Sequence, residues 1–373
     1  SVANRDFCCG TKIYILQSSN FGWRIITMMN IKPLKIRNKV MKPHKALLNP
    51  DLTARNVLTY SHWDFVELWL KRNEKDEALF YWEQAKVFNQ AANGLPNQSA
   101  PLLHYYSFMN AVKALLSSRN INFKQHHGVA RGENTAQIDN LSDIKVKIKN
   151  EGILPSFSKY IDGTSHEGVY NIKNLFSGLP YIHRTYCLTY DVTDDIFIPL
   201  IDAEFVLNES DNSLFFTAIL SKDFRFDTVF DILPPAFELF EREKYKIKSV
   251  ESLLDFNENQ SSNMPQLTEF HQKIRRDLYY INGAETLWYL KRKNNQSEHT
   301  SVSISPLVIT LAAMHRLSEL CRYDPLKLRQ LLNEKENWII AEFIQQSPSQ
   351  FIDAISSEIT GHQFLIPNVR SAS

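Results

Sequence analysis

From Ser61 onward apolar residues recur every three to four positions, the period of amphipathic helices. The stretch YSHWDFVELWLKRN sets Trp63, Val66 and Leu70 on one side with Trp69 beside them, and Ser61 stands where a helix N-cap is wanted. A second helix is predicted at once. EKDEALFYWEQAKVFNQAANGLP opens with acids, aligns Ala78, Tyr81, Ala85 and Phe88, and meets stop signals at Gly94 and Pro96. The third runs from Ser99 to about Ser118, with Pro101 near its start. Leu102, Leu103, Tyr106, Met109, Val112, Leu115 and Leu116 leave it so few polar faces that it belongs at the centre of a helical bundle.

Beyond Gly132 the period drops to two. Ile144, Val146 and Ile148 alternate with Lys145, Lys147 and Lys149, the mark of a half-buried strand. Two apolar runs flank the turn-forming residues Asn208–Ser213 and predict a hairpin. Between these regions NIKNLFSGLPYIHRTYCLTY reads as helical at both ends, broken at Gly178 and Pro180. A short helix is expected after Pro234 and Pro235, then exposed loops near 256–266 and 291–301. The C-terminal part returns to helical spacing: Ser305 and Pro306 precede Leu307, Leu311, Met314, Leu317 and Cys321 on one stripe, and DPLKLRQLLNEKENWIIAEFIQQSPSQFIDAISSEI continues in the same manner. No internal repeat is visible.

These patterns predict a mainly α protein of the α+β class: a helical bundle, a β-containing middle portion and a helical C-terminal portion. The expected divisions are an unstructured or basic N-terminal arm over 1–45, a bundle over 55–135, a β-containing segment over 140–240, and a helical segment over 262–366 packing back on the first. Residues 1–30 read as upstream translated sequence or a cloning remnant, with a start near Met28, Met29 or Met41. Their apolar run is broken too early for a membrane span of about 20 residues.

A formal net charge of +1 over 373 residues gives no global attraction to nucleic acid or acidic lipid, so electrostatic binding has to come from local patches. One such patch is KPLKIRNKVMKPHK, where Lys32, Lys35, Arg37, Lys39, Lys42 and Lys45 stand without an acid among them. It reads as a solvated linker or as an arm contacting nucleic-acid phosphates. Four cysteines, Cys8, Cys9, Cys187 and Cys321, are too few and too dispersed for a disulfide framework or a thiolate zinc site, which suits a reducing cytoplasm. The eleven histidines form no HxH or HxxxH pair, and no glycine-rich phosphate loop or GxSxG elbow occurs, so neither metal nor cofactor is expected. The basic clusters RRD at Arg275–Asp277 and KRK at Lys291–Lys293 read as solvated faces. Tyr105, Tyr106, Tyr279 and Tyr280 read as core or half-buried aromatics.

The chain resembles the YaaC-like family of bacterial proteins. The resemblance is carried by EALFYWEQAKVFNQAANGLPNQSAPLLHYYSFMNAVKALL, by HG at His127–Gly128, by GILPSF and DILPPAFELF, and by CRYDPLKLRQLL, over roughly residues 60–365. It implies a cytoplasmic bacterial protein of unsettled activity, most simply an interaction protein that binds protein and, by extension, nucleic acid. No membrane association is expected, and a homodimer is compatible with the pattern. A looser similarity links HYYSFMNAVKALLSSRNINFKQHHGV to HEPN domains, helical bundles of toxin, RNA-processing and phage-defence proteins. That similarity implies a metal-independent ribonuclease in which His126 activates the ribose hydroxyl, Arg119 stabilises the phosphorane and Asn120 orients. The same residues also read as a plain helix terminus, with Arg119 on free carbonyls, Asn120 ending the helix and His126, His127 and Gly128 in a turn.

Overall fold

The computed structural model describes residues 30–132, 138–256, 263–293 and 303–365, with the backbone of residues 13–14 and 26–27. Among the described residues 46% are helical and 19% are in strands, an α+β composition in which helix predominates.

Helices α1 (His62–Arg72), α2 (Asp76–Ala92) and α3 (Ala100–Ser118) form where the apolar spacing places them. Ser61 accepts from the amide of Asp64 and caps α1. Helix α3 is buried on almost every face and packs against α2 as well as α4 (Ile153–Asp162), α8 (Pro306–Tyr323) and α10 (Asn337–Thr360). Helices α5 (Ile172–Phe176) and α6 (His183–Tyr190) flank a 3-10 turn at Pro180–Ile182, so the predicted break is present. Ser305 caps α8, and Asp324 ends it while capping α9 (Pro325–Leu331). Strands Val129–Arg131, Lys145–Ile148 and Gly168–Asn171 make a small antiparallel sheet whose Val146 and Ile148, with Ile144 just before the strand, are fully buried against these helices.

A second hydrophobic core lies under a seven-stranded antiparallel sheet. Its longest strand, Phe197–Asn208, forms the expected hairpin with Ser213–Leu220, with Asn208 opposite Ser213. The pairing slips between Ile201 and Glu204, where Asp202 turns left-handed at φ 50°, as in a β-bulge. Strands Leu278–Ile281 and Leu287–Lys291 extend one side, and α7 (Met264–Arg276) covers the sheet through Leu267, Phe270 and Ile274. After Pro234 and Pro235 the expected short helix is absent. FELFE and KIKS pair instead as strands Phe237–Glu241 and Lys246–Ser249, because the sheet offers an edge and a place in its core for Phe237 and Ile247. The central parts of the expected loops, 257–262 and 294–302, lie outside the described residues.

Residues 31–45 do not form an unstructured arm. Ile31–Pro33 pairs with Val206–Asn208, and Lys35–Ile36 pairs with Lys39–Val40 across a turn where Arg37 and Asn38 are both left-handed. Leu34 and Met41 enter the sheet core. The apolar residues between the cations supply the physical reason. Residues 1–29 of the predicted arm have no described side chains.

The chain then crosses to the helical core. Lys45 Nζ meets Asp353 of α10 at 2.9 Å and also reaches Asn282 Oδ1 and the Phe364 carbonyl. Tyr280 donates to the other Asp353 oxygen at 3.1 Å. Arg275, expected on a solvated face, is committed to the carbonyls of His44, Lys45 and Leu278. Glu358 accepts from the amides of Leu47 and Leu48, and burial raises its pKa. A cavity of about 410 Å³ borders this network.

Candidate functional site

The end of α3 is built as a Schellman motif. Asn120 adopts φ 56°, its amide donates to the Ser117 carbonyl at 3.0 Å, and the Ile121 amide reaches Leu116 at 2.9 Å. The Arg119 guanidinium donates to the carbonyls of Glu358 and Ile359, at 2.5 and 3.1 Å, in the last turn of α10. It therefore neutralises the negative end of a different helix from its own. Past Ile121 the chain returns to α4, where the carbonyls of His126 and His127 accept from the amides of Ile153 and Leu154. Those bonds satisfy the otherwise free N-terminal amides of α4.

This docking requires glycine twice. Gly128 sits at φ +72° and Gly152 at φ +120°, and a Cβ on Gly152 would lie 2.5 Å from the Gly128 Cα. His126 itself is exposed beside Gly152, at the start of α4. Arg119 acts near Tyr160, seven residues further along the same helix. At 1.5 Å of rise per residue the two ends are about 10 Å apart. Arg119 is occupied by the α10 carbonyls and makes no contact with His126 among the described residues.

It does bring together three residues from separate segments. The Tyr105 hydroxyl hydrogen-bonds to Nδ1 of His127, and both rings pack against His315 of α8, with centroids 4.8 and 5.6 Å from it. Burial raises the Tyr105 pKa, so the phenol keeps its proton and donates. His127 Nδ1 then accepts, which leaves the ring proton on Nε2 as a free donor. Burial lowers the His127 pKa, and Arg322, Lys113, His126 and Lys149 lower it further. His315 is pushed down to about 3 by burial, then by His127, Arg322, Arg316 and Lys149.

Helical spacing explains the gathering. Tyr105 and Lys113 lie two turns apart on one side of α3, and His315, Glu319 and Arg322 follow at i, i+4 and i+7 on α8. Arg316 is buried, donating to the Lys145 carbonyl at 3.1 Å and to Glu319 at 3.3 Å. Burial raises the Glu319 pKa despite Arg316 and Arg322. Arg131, Lys149 and Arg322 are exposed around this centre, and the Arg322 guanidinium stands 5.0 Å from the ring of the exposed Tyr323. Such a surface favours anions: the half-buried His127 lies among exposed cations, with the Glu319 carboxylate turned to His315 and Arg316.

The N-terminal basic residues are distributed differently. Lys32 pairs with Glu209 at 3.1 Å, Lys39 reaches Asn56 at 2.7 Å, and Arg37 faces the Thr53 carbonyl. Lys35 and Lys42 are exposed, whereas Lys45 is buried in its ion pair and presents nothing to a phosphate. Sequence reasoning treated Tyr105 as a core or half-buried aromatic, left His315 among eleven histidines without a metal-ligand spacing, and did not single out Arg322. The signal was the coincidence of HG and CRY, two of the family-like motifs, with the i, i+7 pair on α8.

For metal ions, His183, Cys187 and Asp195 are the one cluster among the described residues, with donor atoms within 4.8 Å of one another. Spacing arguments missed it because Asp195 lies beyond α6. Arg184 already holds Asp195 at 2.9 Å, and burial raises the Cys187 pKa, away from the thiolate a metal needs. Cys187 and Cys321 are free thiols.

Fold and site together define an α+β protein with two hydrophobic cores and a cationic surface centred on a Tyr–His–His cluster. The model of the YaaC-like Protein family matches residues 49–359, and the chain belongs to that family. Searches of curated proteins and of solved structures return no match. No helix among the described residues is long and apolar enough to cross a membrane.

Proposed function

We propose that this YaaC-like protein is a cytoplasmic interaction protein that binds single-stranded nucleic acid across the surface formed by His127, Arg131, Lys149 and Arg322. The observation that carries the reading is that Arg131, Lys149 and Arg322 stand exposed around the hydrogen-bonded Tyr105–His127 pair. Exposed arginine and lysine neutralise phosphates, and the His127 Nε2 proton supplies a directed hydrogen bond. Tyr323, 76% exposed beside Arg322, offers a ring on which an unpaired base stacks. Protein partners, a second copy of this chain among them, fit the same reading through Tyr323, Leu326 and Trp338, which are large, apolar and exposed.

The test is fluorescence anisotropy with a labelled oligoribonucleotide of about 20 nucleotides, titrated at several salt concentrations. Arg322→Ala and Lys149→Ala are each expected to weaken binding several-fold and to reduce the salt slope by about one. Unchanged affinity in both variants overturns the reading. The HEPN-like ribonuclease built on Arg119, Asn120 and His126 is an outcome of the same assay. Metal-independent cleavage of the strand, lost in both Arg119→Ala and His126→Ala, would displace binding as the function. Variants at the exposed Lys35 and Lys42 measure any share taken by the N-terminal cations.

A further inference from the structure

A second cleft, of about 610 Å³, opens between the α1 N-terminus, the α2 C-terminus, the start of α3 and the middle of α10. None of its lining residues carries a carboxylate, ammonium or guanidinium group. Asn89, Asn93, Asn97 and Gln345 line it, and among the described residues their carboxamides form no hydrogen bonds. His104 lines it as well. The residue is 7% exposed, and its buried Nδ1 has no partner among the described residues.

That Nδ1 is buried beneath the wall, so the nitrogen of this ring that the cleft can reach is Nε2. Burial holds the His104 pKa down to about 4 and also lowers that of His62 on the same wall, so at neutral pH both rings are uncharged. Tyr60 stands at the rim, 85% exposed, and Trp63 lines the wall with one side against Trp82. Carboxamides offer a paired donor and acceptor in one plane, the pattern that matches the edge of a nucleobase, and the aromatic rim suits its flat face.

We infer that this cleft is a binding site for an uncharged nucleobase or nucleoside, with His104 and the carboxamides reading its edge and Tyr60 covering its face. The site is independent of the cationic surface and of any phosphate.

Isothermal titration of the full chain with adenosine and uridine, and with maltose as the neutral-sugar comparator, tests it. At least one nucleoside is expected to bind, with about tenfold weaker affinity in Asn93→Asp and in His104→Phe. Because His104→Phe alters a buried position, the exposed Asn93→Asp carries the decision if that variant does not fold. Absence of nucleoside binding at millimolar concentration, equal binding in wild type and Asn93→Asp, or tighter binding of maltose each overturns the inference.

Discussion

Lys45 and Asp353 meet at 2.9 Å with side chains 1% and 0% exposed, although 308 residues separate them. Such a pair contributes little over an apolar replacement, but removing one partner strands a charge in a dry interior. Lys45→Met is expected to lower unfolding stability by about 3 to 5 kcal/mol in urea titration, and the double variant with Asp353→Leu by much less. Equal losses in the single and double variants would contradict this account.

Arg119 acts on α10, so its predicted effect is structural. Arg119→Ala should cost about 1 to 3 kcal/mol through the lost charge-assisted bonds to Glu358 and Ile359. Hydrogen exchange should show the increased opening at the α10 C-terminus, with RNA affinity unchanged.

At the contact between the HG turn and α4, Gly152→Ala places a Cβ against the Gly128 backbone, and Gly128→Ala places one 2.3 Å from Pro155 Cδ. Both positions also need a positive φ. Each variant is expected to lose about 2 kcal/mol or more, read as a lower melting temperature, with displaced His127 resonances.

Acid should destabilise the fold through its buried histidines. Burial holds His44 and His315 at about 3 and His104 at about 4, against 6.5 when unfolded. Between those values the unfolded chain binds protons that the folded chain refuses. The contribution is therefore complete above pH 6.5 and falls as pH drops toward 4, at up to about 1.4 kcal/mol per pH unit for each ring. The raised pKa values of Glu319 and Glu358 act in the opposite direction. His315→Gln isolates one ring: stability measured against pH should show a shallower slope than wild type below about pH 6.

The helices were legible because periodic burial leaves a local trace, as in α3, and so was the strand carrying Val146 and Ile148. The strands within residues 31–45 were hard to read because cations outnumber the Leu34 and Met41 side chains that fix them in the sheet core. The Tyr105, His127 and His315 cluster draws on three distant segments. Its members look ordinary in isolation, since each is a sound core or turn residue, and only the packing of α3 on α8 gives them a common centre. The His104 cleft was equally silent, because an orphaned nitrogen is a property of surroundings and not of spacing.

The family match begins at residue 49, yet residues 31–45 are stitched through both cores. A fragment trimmed to the matched span would present a bare strand rim at Val206–Asn208 and an Asp353 carboxylate without its lysine, held by Tyr280. Recombinant pieces cut at that boundary would therefore tend to clump, and the thread ahead of the recognised region has to travel with it.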